Sequence, residues 1–151
     1  YLFLANHEVR YNCTIIDLHD RSVIANITDR NITSDLAIRT LRKALESQPT
    51  IKEGLILHSD QGSQYTSKAF TEFCESVNVT QSMSKAGYPY DNAPMERYFN
   101  TLKNECTNLY EFTTEETLYQ KVEEFAYVDY NHVRPHSYNG YRTPYEARTA
   151  A

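Results

Sequence analysis

The sequence predicts a single α/β domain in which a mixed β-sheet carries helices on both of its faces. Three β-prone runs at residues 1–5, 10–18 and 22–27, joined by short polar turns, indicate an antiparallel meander. Downstream, helical and extended patterns alternate, which is typical of strands connected through helices. The length of 151 residues is enough to bury one hydrophobic core.

A helix and a fourth strand follow the meander. The apolar face formed by Leu36, Ile38, Leu41 and Leu45 predicts a helix from Ser34 to Glu46, with Thr33 or Ser34 as the N-cap. Pro49 and Gly54 then bracket the return to an extended run at 54–59. Its uninterrupted Leu-Ile-Leu is typical of a strand that is covered on both faces.

The remaining elements are one short strand and three helices. Apolar spacing predicts a helix over 67–76, a strand around 79–83 and a long helix over about 93–108, with a Tyr/Gly/Pro loop at 84–91. The run Thr113–Glu116 has the pattern of a capping box for a last helix that reaches about residue 131. A turn-rich tail completes the chain.

Composition narrows the function classes. The net charge of −5 is unusual for a nucleic-acid binder acting alone, so either nucleic acid is not the partner or most of the affinity lies in other segments. No apolar run approaches the roughly 20 residues of a membrane span, which predicts a protein without a membrane partner. Three widely spaced cysteines without CxxC pairs favour reduced thiols in a cytoplasm. Because the chain opens at Tyr1 in a strand-like run, we expect a fragment whose N-terminal side is missing.

Two carboxylates stand in contexts that suit metal binding. Asp60 closes the fourth strand, and Glu96 lies one turn into the helix that begins after Asn92. Carboxylates brought together from a strand end and a helix face are ligands that Mg²⁺ prefers. The alternative is that both acids are simply solvated, as most surface acids are.

The helix that carries Glu96 has two stripes at helical spacing. Its predicted buried stripe consists of Met95, Phe99, Leu102 and Cys106, and a polar stripe beside it consists of Asn92, Glu96, Asn100 and Lys103. One interpretation is a solvated face with a Glu–Lys contact. The functional interpretation makes Glu96 a metal ligand and Lys103 a contact to a phosphate or base.

Four segments together have a recognisable pattern: His58–Tyr65, Tyr90–Glu96, Leu102–Glu105 and Tyr130–His136. They resemble segments of bacterial insertion-sequence transposases of the retroviral-integrase-like Asp-Asp-Glu recombinase family. The resemblance implies a ribonuclease-H-like fold with a mixed five-stranded sheet, three antiparallel strands followed by two parallel ones. It also implies that two acids on strands and one on a helix bind two Mg²⁺ or Mn²⁺ ions. Asp60 then matches the second acid, Glu96 the third, and Lys103 the basic residue seven positions after the glutamate.

The first acid of the family is where this sequence departs from the pattern. Tyr1 resembles the tyrosine of the family's Thr-Asp-x-Thr-Tyr motif, so we expect the first aspartate just upstream of the given residues. Asp17 and Asp20 are the only nearby substitutes, and we interpret both as structural or turn residues. The chain as given is therefore predicted to fold but to be inactive or nearly so.

The function implied by the resemblance is DNA transposition. In the family, water cleaves a strand at the transposon end, and the released 3′-hydroxyl attacks a target phosphodiester. The expected partners are transposon-end and target DNA and further copies of the chain on that DNA, in a bacterial cytoplasm. We expect residues 1–131 to form the catalytic core and 132–151 a tail of the same domain. The alternatives are a non-catalytic relic or assembly module that keeps the fold, and a sequence-independent nuclease.

Weaker candidates surround the two acids. His58 points to the same side of its strand as Asp60, where it either tunes the site or packs; Asn92 is a further supporting residue, and Asn100 a DNA contact. Tyr88 and Tyr90 either stack on bases or are ordinary loop tyrosines.

Other polar segments have less defined roles. The turn Gln61–Gln64 either presents N–H groups to a phosphate or only connects two elements. His132 and His136 are four residues apart, but Pro135 argues against a zinc pair on one helix. Arg134 and His136 belong to a C-terminal signature of the family whose role the sequence does not reveal.

Overall fold

The first part of the chain forms the expected antiparallel meander. A computed structural model describes residues 1–48, 54–85 and 92–150. Strand β1 (Leu2–Phe3) pairs with β2 (Val9–Ile16), and β2 pairs with β3 (Val23–Asp29). Both pairings are antiparallel, with Leu2 opposite Arg10. Helix α1 (Ser34–Ser47) follows, and its N-cap is Thr33, whose hydroxyl accepts a hydrogen bond from the backbone of Leu36 at 3.1 Å.

The next strands are parallel. Strand β4 (Ile56–Ser59) pairs with β5 (Thr80–Met83), and helices α2 (Ser63–Thr66) and α3 (Lys68–Ser76) connect them. The three antiparallel and two parallel strands confirm the predicted fold class. Within the described ranges, however, no hydrogen-bonded ladder joins β4 to the meander, so the five strands form sheets of three and of two.

The expectation that β4 is covered on both faces is wrong. Ile56 is 65% exposed, and Leu55, just before the strand, is 37% exposed. Both side chains line a cleft between β2 and β4. The apolar run is therefore present as predicted, but part of it faces an open groove.

The second half is helical. Helix α4 (Ala93–Glu105) leads through a 3₁₀ turn to α5 (Glu115–Glu124), which continues as a π-helix over Phe125–Val133 before α6 (Pro144–Thr149). The N-cap of α5 is Thr114, which accepts from the backbone of Thr117, so the capping box expected to start at Thr113 is wrong by one residue.

Two apolar clusters hold these layers together. The α4–α5 cluster contains Leu2 and Leu4 from the start of the chain and is centred on fully buried side chains of the two helices: Tyr98, Leu102, Leu118 and Val122. The α1–α3 cluster contains Ala37, Leu41, Phe70, Cys74 and Val79. Neighbouring residues of β2 separate them, since Ile16 packs against the first cluster and Ile15 against the second.

The buried stripe of α4 differs from the prediction at one position. Leu102 and Cys106 are buried as expected, but Tyr98 is the fully buried aromatic side chain, while Met95 and Phe99 are only partly buried. Tyr98 packs edge-to-face on Tyr130, with 4.9 Å between the ring centres. Helix α4 is therefore rotated slightly from the expected orientation, which turns Met95 and Phe99 toward the cleft.

Candidate metal and nucleic-acid site

A cleft of about 490 Å³ lies where the end of β4 approaches the start of α4. Asp60 lines it from the strand side, and Asn92, Pro94 and Met95 line it from the helix. Glu96 follows Met95 directly and lies on the exposed surface of the same turn. The two segments that carry the predicted acids therefore border one cleft, while metal binding by Asp60 and Glu96 stays a prediction.

Asp60 is held by a tight turn. Its Oδ1 accepts a hydrogen bond from the backbone N–H of Gly62 at 2.8 Å, and the rest of the carboxylate is exposed to solvent. A Cβ atom at position 62 would lie 2.9 Å from Asp60 Oδ1 and 2.8 Å from Gln64 Oε1, closer than real Cβ contacts allow. Gly62 is thus a positioning residue that the sequence reasoning missed, although the Asp-x-Gly spacing is a signal for such a turn.

The same turn bears on whether Gln61–Gln64 presents N–H groups to a phosphate or only connects two elements. The N–H of Gly62 is already used by Asp60, and the side-chain amide of Gln61 donates to the carbonyl of Ser84 at 3.0 Å. These groups connect and brace the end of β4. The structure therefore favours the connecting role of Gln61–Gln64 over a phosphate cradle.

His58 ties the two parallel strands together. Its Nδ1 lies 2.9 Å from the hydroxyl of Ser82 and its Nε2 lies 2.9 Å from the hydroxyl of Ser84, on and just after β5. With both ring nitrogens engaged, His58 can bind a metal only by giving up one of these contacts. The geometry favours the packing interpretation of this residue.

The polar stripe of α4 lies largely at the surface. Glu96, Asn100 and Lys103 are exposed, and Asn92 is half-buried at the N-cap, where its side chain makes no capping hydrogen bond. Lys103 lies near the start of β1. The predicted base-stacking residues Tyr88 and Tyr90 lie outside the described residues.

Asp17 and Asp20 have a structural partner. The guanidinium of Arg148 in α6 lies 2.8 Å from Asp17 Oδ2 and 3.0 Å from Asp20 Oδ2. Asp20, which is 1% exposed, also accepts at Oδ1 from the backbone and hydroxyl of Ser22. Its backbone carbonyl accepts from the side chain of Asn139. These contacts agree with the interpretation that both acids are structural.

The candidate ligands are carboxylate oxygens, which suit a hard cation, but they are few. Asp60 and Glu96 offer exposed carboxylate oxygens, whereas Cys13, Cys74 and Cys106 are buried free thiols. Throughout residues 1–48, 54–85 and 92–150, no group of three or more histidine, cysteine or acidic side chains is arranged to hold a metal. Asp60 and Glu96 therefore stay candidate ligands for Mg²⁺ or Mn²⁺, and the described residues place no third candidate with them.

The C-terminal signature acquires structural roles. Arg134 forms a forked contact with both carboxylate oxygens of Glu105, at 3.1 and 3.0 Å. The ring of His136 packs on Tyr130, and burial followed by the nearby charge of Arg134 lowers the pKa of this imidazole. His132 instead stacks on Tyr145, so the two histidines have different partners.

Asn131 is the residue of this signature that the sequence reasoning overlooked. Its side-chain amide accepts from the backbone N–H of Val23 at 2.8 Å and donates to the carbonyl of Val23 at 3.0 Å. The hydroxyl of Tyr127 accepts from the backbone of Asn26 at 2.9 Å. The π-helix is thus joined to β3 by backbone-directed hydrogen bonds, which no local sequence pattern reveals.

Comparison with known sequences identifies relatives of the whole region. Residues 2–89 match one family model described as an integrase core domain, and residues 77–144 match a second with the same description. Transposase InsF for insertion sequence IS3A of Escherichia coli is 34% identical over 134 residues, which is 89% of this chain and 46% of that protein. The transposase for insertion sequence element IS904 of Lactococcus lactis is 43% identical over 91 residues, 60% of this chain and 36% of that protein.

An uncharacterized 31 kDa protein of insertion element IS600 from Shigella sonnei is 35% identical over 134 residues, 89% of this chain and 49% of its own length. The chain thus spans about half the length, or less, of the curated relatives it matches.

Solved structures share the fold at low sequence identity. The chain matches the simian T-cell lymphotropic virus intasome, in complex with PP2A regulatory subunit B56 gamma, with a TM-score of 0.79 and 16% identity. That match covers 100% of this chain and 51% of the other. The catalytic core domain of BIV integrase matches with a TM-score of 0.61 and 16% identity, covering 97% and 87% of the two chains. In the described part of the chain, no helix has the length and apolar character that crossing a membrane requires.

Proposed function

The chain belongs to the integrase core family of insertion-sequence transposases, and from this premise we propose that it performs metal-dependent DNA cleavage and strand transfer in transposition. The observation that carries the proposal is the cleft bordered by Asp60 and by the first turn of α4, which leads directly into Glu96. Exposed carboxylates at such a border are accessible both to a cation and to a DNA phosphate.

Asp60 and Glu96 are proposed to hold divalent ions through their carboxylate oxygens. Mg²⁺ and Mn²⁺ fit this donor set because hard cations prefer oxygen ligands. Bound ions of this kind, two in the complete family site, supply activation of the attacking oxygen and stabilisation of the leaving oxygen. Gly62 keeps the Asp60 carboxylate in place, and the His58 bridge keeps the end of β4 aligned with β5.

Lys103 and Asn100 are proposed to contact the DNA backbone along the exposed stripe of α4. A lysine seven positions beyond Glu96 lies two helical turns away, so it contributes positive charge without competing for the cation. Tyr88 and Tyr90 are proposed as stacking residues for bases. The net charge of −5 indicates that tight DNA binding needs further segments or further copies of the chain. We place this assembly in the bacterial cytoplasm.

A polypeptide of these 151 residues alone is proposed to fold but to cleave DNA weakly or not at all. Only two of the three family acids have matches in it, and Asp17 and Asp20 are engaged by Arg148. The resemblance puts the first acid three positions before the tyrosine that matches Tyr1. Extending the chain with an aspartate at that position should restore Mg²⁺-dependent cleavage, and an asparagine there should not.

The direct test is cleavage by a longer protein in which an aspartate stands three positions before Tyr1. Glu96→Gln should abolish Mg²⁺-dependent cleavage of transposon-end DNA while leaving the circular dichroism spectrum and DNA binding unchanged. The matched control is Glu123→Gln, which alters an exposed acid on α5 and should cleave normally. Full cleavage by the Glu96→Gln protein would remove this residue from the mechanism.

A non-catalytic relic or assembly module is the second candidate. The observation in its favour is that the described residues contain no cluster of three metal-binding side chains. Calorimetric titration with Mn²⁺ separates the two functions: a catalytic core binds the ion and Asp60→Asn weakens that binding, whereas a relic gives no heat with either protein. Cleaved DNA without joined target DNA, in the longer protein, would instead indicate a nuclease.

A further inference from the structure

Helix α4 carries its proposed functional residues and two of its packing contacts on different faces. Seven residues of an α-helix make almost two full turns, so residues seven positions apart lie on the same face. Glu96 and Lys103 are related in this way, and both are exposed. Tyr98 and Glu105 are also seven positions apart, and they lie on roughly the opposite face. The contacts made by the second pair therefore determine where the first pair points.

The C-terminal signature contacts this second face of α4 at two points. The ring of Tyr130 packs edge-to-face on Tyr98, with 4.9 Å between the ring centres, and both side chains are buried. Two turns further along, Nε of Arg134 lies 3.1 and 3.0 Å from the two carboxylate oxygens of Glu105, the last residue of the helix. Two contacts about 10 Å apart along the axis restrain both the rotation and the tilt of a helix.

The π-helix that supplies these contacts is itself fixed to the sheet. The side-chain amide of Asn131 bonds both backbone groups of Val23, and the hydroxyl of Tyr127 accepts from the backbone of Asn26. The backbone N–H of Arg134 closes the last turn of the π-helix with a 2.8 Å hydrogen bond. A continuous series of contacts thus runs from β3 through the π-helix to α4.

The pair between Arg134 and Glu105 suits orientation better than stability. The two side chains are 35% and 46% exposed, and exposed ion pairs contribute little to the free energy of folding. A guanidinium that contacts both oxygens of one carboxylate nevertheless fixes direction as well as distance. Lysine would keep the charge without the fork. Loss of Arg134 should therefore loosen α4 while the chain stays folded.

We propose that Arg134 and Tyr130 are positioning residues that orient α4 and thereby set the direction of Glu96. Arg134 acts through Glu105 at the end of the helix. Tyr130 acts through Tyr98, close to the start of the helix. This role rests on the proposed function, because it assigns part of the C-terminal signature to metal-dependent cleavage. The orientation of α4 can also be measured without metal or DNA.

The first test measures the position of α4 in the chain without metal or DNA. Nitroxide labels on Ser63→Cys, at the start of α2, and on Asn100→Cys, on the exposed side of α4, report the distance between the two elements. The native cysteines are buried, which directs labelling of the folded protein to the two new thiols. Arg134→Met should widen the distance distribution from double electron–electron resonance at least about twofold, because the fork no longer holds the helix.

Two variants control this measurement. Glu105→Ala removes the same pair from its other side and should reproduce the widening. Arg30→Met is the matched control, because it removes another forked arginine–glutamate pair, with Glu115 at the start of α5, and should leave the distribution unchanged. Identical distributions for the unsubstituted chain, Arg134→Met and Glu105→Ala would overturn the proposal.

The second test measures cleavage by the longer protein with an aspartate three positions before Tyr1. At a temperature where every variant is folded, Arg134→Met should raise the Mg²⁺ concentration for half-maximal cleavage at least about fivefold. Its dissociation constant for DNA should not change. Arg134→Lys should resemble Arg134→Met, since lysine cannot form the fork. Normal cleavage by Arg134→Lys, with weakened DNA binding by Arg134→Met, would instead make Arg134 a phosphate contact and overturn the proposal.

A conservative pair of variants tests the ring of Tyr130. Tyr130→Phe keeps the edge-to-face contact with Tyr98 and should retain the wild-type Mg²⁺ dependence. Tyr130→Leu removes the ring and should raise the Mg²⁺ requirement as Arg134→Met does. Equal Mg²⁺ dependence for the two Tyr130 variants, both folded, would remove this residue from the positioning role.

The two tests separate this role from the proposed function. If the unsubstituted longer protein does not cleave DNA, the proposed function fails, and the distance distributions still decide whether Arg134 orients α4. If that protein cleaves and Arg134→Met widens the distribution without changing the Mg²⁺ requirement, the proposed function stands and the positioning role in the reaction is wrong.

Discussion

The α4–α5 cluster and the cleft beside β4 are built from similar apolar residues but are packed to very different extents. In the cluster, Tyr98, Leu102 and Leu118 have no exposed surface. At the cleft, Ile56 is 65% exposed although it lies in the apolar run Leu55-Ile56-Leu57. The difference shows that apolar sequence does not by itself produce burial, because burial also needs a neighbouring element on each side.

The residues proposed to function lie beside the cleft. Asp60 and the first turn of α4 border it, whereas the α4–α5 cluster consists of buried apolar side chains. A fully packed cluster stabilises the fold, whereas a rigid surface beside an open cleft leaves its residues accessible to a ligand. The following predictions test this division between the two regions.

The largest loss of stability is expected from truncating a side chain in the α4–α5 cluster. Leu102→Ala should lower the free energy of unfolding by about 2–5 kcal/mol, because it leaves a cavity among fully buried neighbours. Ile56→Ala should cost less than about 0.5 kcal/mol, since its side chain is mostly in water. Urea denaturation of both variants measures the contrast. Similar losses for the two would mean that the cleft is as well packed as the cluster.

An intermediate loss of stability is expected for changes at the end of the cleft where α6 packs. Asp17 and Gln48 line the cleft and both bind Arg148, which also contacts the buried carboxylate of Asp20. Arg148→Met should cost about 1–3 kcal/mol, less than a fully buried pair because Arg148 is partly exposed. Arg134→Met removes the more exposed pair with Glu105 and should cost under about 1 kcal/mol. A larger loss of stability for Arg134→Met than for Arg148→Met would show that Arg148 does not anchor α6 at this end of the cleft.

A smaller loss of stability is expected when the pH is lowered. The hydrogen bond from Arg30, with Arg10 contributing, lowers the pKa of Glu115 from 4.5 to about 2. A carboxyl with a depressed folded pKa stabilises the fold above its unfolded pKa, and that contribution disappears as the pH falls from about 5 toward 2. Glu115→Gln should therefore flatten the decline of the thermal midpoint over this window. The exposed Glu116→Gln should reproduce the wild-type curve; an unchanged curve for Glu115→Gln would contradict the assignment.

The helices and strands could be predicted from the sequence because the patterns that indicate them are local. Helical spacing placed α1, α3 and α4 within a few residues, and the three antiparallel runs were correctly ordered. Tyr98 was missed because a tyrosine fits the boundary of a stripe as well as its centre, and its burial depends on Tyr130, far along the chain. The open face of β4 was missed because a strand's burial depends on its neighbours.

The candidate site could be proposed from local sequence context to a similar extent. Asp60 and Glu96 stand out through their immediate context, and Gly62 could have been added from the same turn. The engagement of His58 depends on Ser82 and Ser84, which reach it only through parallel pairing of β4 with β5. The contacts of Asn131 with Val23 likewise span 108 residues and leave no local pattern.

The proposed metal site can be examined by soaking crystals in Mn²⁺ and locating the ion from its anomalous scattering. A carboxylate site at the cleft should give a peak about 2 Å from oxygens of both Asp60 and Glu96, and this peak should vanish in Asp60→Asn crystals. A peak bound by other side chains, or two acids turned toward different parts of the surface with no ion between them, would contradict the assignment of these residues to a shared cation.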